Sequence, residues 1–500
     1  MAASPRSSTS FDSFSSGRES PIHGFDSSAA LILVTDSDGT PNSASFDFSS
    51  DDEAEGDSDQ LERLRSSSIP PLSSISVFLY LLAPFLKLGA LLVPDGGLPL
   101  KISIPALVFF AALSAFSRQI WYMLARYVRR AELEEIVLET FARGRGKETR
   151  RWALRHVVRI AIGIMRVMLA ALYMRAAVDV LLPLIPQTLL LSSHITVAVL
   201  LAIAVSPIYF ASSLGARSVI YASWASIAAY AAWFAFTTYM HAKGMLVTSA
   251  GSASLGILWQ GISTIVFTFT TASTIPLYSS LKGALQPGNA SPKRSQSFKL
   301  LSTLSVGFAL LLILPLAFFQ SSPSPPSIPT RTPKVFAAFF NAGALTLSIP
   351  SILITCPSLP SRVSIRRATN FPLSKSLLYL LTLCLSVLPT SWVKVLSDVL
   401  LVLAFISTYL VPAFIHITIH NFRRPLSIIV PPNTPATSSS QAQLEASESR
   451  NDELLQRKER TLQRRRLGRR LVWDVGVWML LVPVGGGGLV WAGGRVAGRW

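Results

Sequence analysis

Charge is scarce in this sequence. Asp, Glu, Lys and Arg together make up 14% of the 500 residues, where soluble domains carry about a quarter. Half of the residues are hydrophobic and the mean hydropathy is +0.45, which excludes an ordinary soluble domain. Cysteine is nearly absent. Cys356 and Cys384 are the two present, so no disulfide framework is expected. The first 70 residues are polar and lack a basic start followed by an apolar core, so no signal peptide is read there. HExxH, GxSxG and P-loop patterns are missing, which argues against an enzyme; no cofactor is expected. The six histidines are scattered. His416 and His420 stand four apart, but two imidazoles without further ligands fall short of a metal site.

What the chain has is apolar length. Runs of about 20 residues, enough to span a bilayer as a helix, lie at 72–94, 102–126, 153–182, 191–212, 217–240, 254–280, 298–320, 334–356, 373–389, 392–416 and 471–492. The reading is an all-α, multi-pass integral membrane protein with eleven transmembrane helices. With the N-terminus in the cytosol, the cytosolic connections hold 27 Lys/Arg and the opposite side 6. That is the bias of the positive-inside rule. The net charge of +18 therefore belongs to topology, and no nucleic-acid partner is expected.

Residues 1–70 are Ser-rich, with 13 Asp/Glu against 4 Lys/Arg, and read as a disordered acidic cytosolic tail. Residues 71–420 form the core of ten helices. A basic cytosolic linker (421–470), an eleventh helix (471–492) and a short non-cytosolic tail (493–500) complete the plan. Eight Lys/Arg fall between Arg457 and Arg470. They suit anionic lipid headgroups and also anchor the last span.

Eleven spans divide into five, five and one. An odd number per half inverts the second half relative to the first. Inverted repeats of this kind are a transporter plan, with the site at discontinuous helices between the halves. Span 1 and span 6 are then equivalents, and both are locally irregular. Span 1 carries Pro84, Lys87 and Gly89. Span 6 carries FTFTTASTIPLYSSL (267–281), in which Pro276 lacks an N–H and crowds the carbonyl of Ala272. The hydroxyls of Thr268, Thr270, Thr271, Ser273 and Thr274 can bond back to their own helix or hold a solute. Intramembrane charges need partners. Arg175 and Asp179 stand four apart, as a coupling relay or as a structural ion pair, and the pair is the favoured reading. Arg166 has no visible partner on its helix and suits an aqueous vestibule.

Several segments carry a resemblance in order. VFTFTTASTIPLYSSL (266–281) resembles the sixth-helix signature of the amino acid/auxin permease family, with Phe267, Phe269, Pro276, Tyr278 and Leu281 matching. SPIYFASSLGARSVIYAS (206–223) looks like that family's turn between the fourth and fifth helices, through Pro207, Leu214 and Ser223. Segments 105–127, 132–151 and 391–417, the last with Pro412, look like its second helix, its cytosolic loop and its tenth helix. The likeness covers roughly residues 72–420 and identifies a divergent member. GALLVP (89–94) keeps one glycine of the family's first-helix break. The resemblance implies an amino acid–polyamine–organocation transporter-like fold and secondary active transport of amino acids or related small solutes, coupled to protons. It implies a solute site at Gly89, Ala90 and Leu91 together with the span 6 hydroxyls. The other reading is a non-transporting nutrient sensor or scaffold on the same fold. The membrane is vacuolar, another endomembrane, or the plasma membrane.

The Lys/Arg asymmetry yields a direct test. Single cysteines placed at positions 40, 290 and 440, in a chain freed of Cys356 and Cys384, should label only from the cytosolic side. A cysteine at position 500 should label only from the other side. Cytosolic labelling at 500 removes span 11 from the scheme.

Overall fold

The computed structural model describes residues 69–128, 132–142, 147–185, 192–244, 255–271, 274–283, 297–320, 331–359, 372–419 and 473–496. The acidic tail, the Arg457–Arg470 cluster, His420 and Ser273 lie outside the described residues. Among those described, every regular element is helical. Eight helices are long and apolar enough to cross a membrane, running from Ser74–Leu92 to Trp473–Gly494. The chain is a multi-pass membrane protein by that measure. Two shorter apolar helices, α6 (Ser193–Tyr209) and α13 (Leu373–Ser386), stand beside them.

The first crossing is interrupted. Helix α1 (Ser74–Leu82) passes into a 3-10 turn, Ala83–Leu86, with Pro84 at its start. Lys87 leaves helical geometry altogether (φ −119°, ψ −148°), and α2 (Leu88–Leu92) resumes. Helix α3 (Leu100–Val128) follows. The amphipathic α4 (Leu133–Phe141) then buries Ile136, Val137 and Leu138. Helix α5 (Glu148–Leu181) has 34 residues, about 50 Å, well beyond the roughly 30 Å of a bilayer core. Its exposed first turns overrun the membrane, where Arg155 pairs with Glu134 of α4 at 2.9 Å. Deeper in, α5 is the hub of the bundle, touching α4, α6 and four later helices.

The later helices repeat the pattern of interruption. Helix α7 (Arg217–Ala242) is unbroken. The sixth apolar run divides into α8 (Leu255–Thr268) and α9 (Thr274–Gly283), with Phe269, Thr270 and Thr271 non-helical. Pro276 falls in the first turn of α9, where a missing N–H costs nothing, so the break lies before the proline. Helix α10 (Phe298–Ile313) precedes α11 (Arg331–Thr346) and α12 (Ile349–Ile354), which are separated at Leu347–Ser348, with Pro350 starting α12. After α13, helix α14 (Thr390–Phe405) opens into a π segment, Ile406–Leu410, before α15 (Val411–Ile417) with its Pro412. The last crossing also contains a π segment, Leu480–Gly486, and ends in α16 (Gly487–Val496).

Each interruption frees backbone groups that lipid cannot satisfy. The bundle supplies partners. Beside Pro84, the carbonyl of Leu81 accepts a bond from Arg118 Nη2 at 2.8 Å. Arg118 of α3 also donates to Ser305 Oγ of α10 at 2.8 Å and stacks over the Phe85 ring at 4.2 Å. Its side chain is 1% exposed. A buried cation held by hydroxyl, carbonyl and ring thus staples the first crossing to α3 and α10.

Arg118→Leu should leave the Leu81 carbonyl and Ser305 without this donor and lower stability by about 1.5–3 kcal/mol. Thermal unfolding in detergent reads it, and Arg118→Lys should retain part of the loss. An unshifted melting temperature in the Leu variant removes the staple.

Candidate functional site

The two broken crossings meet. A Cβ added to Gly89 would lie 2.5 Å from Thr268 Oγ1 and 2.6 Å from Thr268 Cα. Only glycine lets α2 approach α8 this closely. About two turns earlier on α8, Gly261 faces Leu98 and the Gly96 carbonyl equally tightly, a Cβ there lying 2.8 Å from that oxygen.

A cavity of about 120 Å3 opens beside this contact. Its wall includes Lys87 and Gly89 from the first crossing and Thr270 and Thr271 from the break of the sixth. Ser348 comes from the α11–α12 interruption and Ser351 from α12, and Ser407 and Thr408 from the π segment. Helix α5 completes it with Met165, Arg166, Leu169 and Tyr173. A second cavity of about 310 Å3 lies toward α4 and is walled by Val137, Phe141, Val158, Thr274 and Phe414 among others. Met165, Arg166, Thr271 and Ser407 line both, so they stand where the two cavities adjoin.

The irregular segments are latched to one another. Thr271 N–H donates to Thr408 Oγ1 at 3.2 Å, and that hydroxyl faces the Thr271 carbonyl at 3.4 Å. Pro412 cannot donate to the carbonyl four residues back, which is that of Thr408. Ser117 Oγ of α3 donates to it instead. On the other side, Ser348 N–H bonds Leu345 rather than Ala344. The Ala344 carbonyl then takes the Ser226 hydroxyl of α7 at 2.7 Å. Ser226 Oγ in turn accepts from Lys87 Nζ. A chain Lys87–Ser226–Ala344 therefore joins the breaks of the first and eighth apolar runs through an unbroken helix.

The residues singled out in the sequence have distinct places. Gly89, Thr270 and Thr271 line the central cavity; Thr274 lines the neighbouring one. Ala90 and Leu91 line neither and sit in the hydrophobic core, 0% and 4% exposed. Thr268 Oγ1 bonds back to the Thr264 carbonyl at 2.8 Å, and Thr270 Oγ1 to Phe267 at 2.7 Å. Thr271 Oγ1 is buried and makes no hydrogen bond among the described residues. Arg175 Nε pairs with Asp179 at 3.2 Å and Arg175 Nη1 caps the Leu388 carbonyl at 3.0 Å, beyond the end of α13. Neither residue lines a cavity, so the pair joins α5 to α13. Arg166 is half-buried and forms no hydrogen bond or salt bridge among the described residues. Glu132, which acts on it through space, lines neither cavity. Among the described residues no three His, Cys, Asp or Glu cluster to hold a metal ion.

The sequence reading missed Thr408, Ser226 and the burial of Arg118. Thr408 had a signal: it stands four before Pro412. The chain matches no known family model, and no curated protein matches it.

Thr408→Val should orphan the Thr271 N–H in an apolar setting and cost about 1–3 kcal/mol. Thr408→Ser, which keeps the hydroxyl, should recover most of it. Equal melting temperatures for the Val and Ser variants would show that the latch carries no stability.

Proposed function

We propose that this chain is a secondary active transporter of amino acids or related small solutes, with the central cavity as its solute site. The observation that carries the reading is the meeting of two interrupted crossings at Gly89 and Thr268 beside a cavity lined by hydroxyls and freed backbone. Discontinuous helices with a solute between them are how many secondary transporters bind cargo within the membrane. In this reading the eight long crossings, the two shorter helices α6 and α13, and the α8–α9 pair supply eleven spans. They form two inverted sets of five plus one. The resemblance to the amino acid/auxin permease family supports the same plan and brings proton coupling with it.

Two features support the other reading, a sensor on the same fold. The central cavity is small, and Ala90 and Leu91 fill the place where the family's glycines open the first helix. Purified protein in proteoliposomes decides between them. Under an imposed pH gradient the transporter concentrates a labelled solute above its equilibrium level, and a protonophore abolishes the excess. A solute that binds in a competition screen over the common amino acids, yet is never accumulated, overturns transport and leaves the sensor.

A further inference from the structure

The charge of the central cavity is one-sided. Its described lining includes two basic side chains, Lys87 and Arg166, and no Asp or Glu. Lys87 is engaged: its amino group bonds Ser226, which passes on to the Ala344 carbonyl. Arg166 is not engaged by any hydrogen bond or salt bridge among the described residues, and a guanidinium does not shed its proton in proteins. A charged group in an apolar bundle without a hydrogen-bonded partner is costly, and Glu132, which lines neither cavity, offsets only part of that cost through space. The position of Arg166 adds meaning, because it lines both cavities and so stands where a solute would pass from one to the other. A second unfilled group shares that junction. The hydroxyl of Thr271, a residue only 6% exposed, has no hydrogen-bond partner among the described residues and also lines both cavities. The rest of the wall combines the hydroxyls described above with apolar side chains such as Leu169, Ile352, Leu400 and Ala404.

We infer that the solute is recognised by a carboxylate, held by Arg166 and Thr271, and that no ammonium group on it is required. Resting on the reading of this cavity as a solute site, the inference narrows its cargo from amino acids in general to small organic acids with an apolar body. A guanidinium matches a carboxylate in two parallel hydrogen bonds, and the pairing satisfies donors that no described residue fills. An amino group gains no ionic partner from the described lining, whereas the Arg166 guanidinium opposes it. Zwitterions bind through their acid end alone.

The probes are matched pairs. 4-Methylpentanoate and 4-methylpentanamide differ in the acid group, and L-leucine adds the amine to the first. Binding is measured by calorimetry on the purified full chain, and uptake of the same labelled compounds in proteoliposomes. The acid is expected to bind about tenfold to a hundredfold tighter than its amide, and L-leucine no tighter than 4-methylpentanoate. Arg166→Gln should abolish the preference for acid over amide, and Arg166→Lys should keep a reduced one. Thr271→Val should weaken the acid by roughly threefold to tenfold. Equal binding of acid and amide, no binding of the acid, or an acid preference untouched by Arg166→Gln overturns the inference. Because acid and amide are compared on one variant, a fall in the folded fraction moves both and does not mimic the result. Acid-selective binding with no gradient-driven uptake overturns transport and leaves the carboxylate site. Uptake of acid and amide alike overturns the site and leaves transport.

Discussion

An unpaired backbone carbonyl or N–H inside an apolar bundle is the constraint on which this structure depends. Helices escape it by bonding internally, and several of the described crossings give up part of that bonding near a proline, among them at Pro84, Pro276, Pro350, Pro412 and Pro483. Each lost bond in hydrocarbon costs several kcal/mol unless another donor or acceptor replaces it. The replacements come from other helices. Arg118 serves Leu81, Thr408 serves Thr271, Ser117 serves Thr408, and Ser226 serves Ala344. The interruptions therefore hold the bundle together rather than weaken it. Every latch is an interhelical contact that an intact helix would not need.

The same latches explain where empty space remains. Four interrupted segments cannot fill their common centre as four regular helices would, and the central cavity lies there, closed on one side by the long helix α5. Gly89 lets the first crossing come within backbone contact of the sixth, which brings both breaks to the same depth. Polar side chains that would be expensive in lipid are affordable here because they face each other or the cavity. Arg175 and Asp179 illustrate the contrast. Their pair stitches α5 to the end of α13 away from the cavities, whereas Arg166, about two and a half turns earlier and on the opposite face of the hub, has no such partner among the described residues.

Much of this architecture was legible in the chain. Apolar runs of bilayer length announce membrane helices, because hydropathy and length are local properties. The irregularity of the first run was legible for the same reason, since Pro84 removes a specific N–H wherever the chain goes; in the sixth run the proline marked the neighbourhood, but the non-helical residues Phe269, Thr270 and Thr271 lie before it. Even Thr408 could have been read from Pro412 by counting back four. The fate of individual hydroxyls was not legible. Thr268, Thr270 and Thr271 look alike in sequence, but two hydroxyls bond back to their own helix and the third has no hydrogen-bond partner among the described residues. Ala90 and Leu91 look like continuations of the Gly89 motif, yet they pack into the core.

The sequence by itself determined an all-helical membrane chain, the places where its helices lose internal bonds, and the scarcity of charge that makes each buried ion meaningful. These follow from side-chain hydropathy and from proline's missing donor, which act within one turn of helix. Only the tertiary structure decided which broken segments face one another, and which freed group each polar side chain serves. It also decided that Arg118 is enclosed by three partners while Arg166 stands open at the junction of two cavities. Those outcomes depend on contacts between helices hundreds of residues apart, and hydrogen-bond partners at that separation are fixed by packing alone.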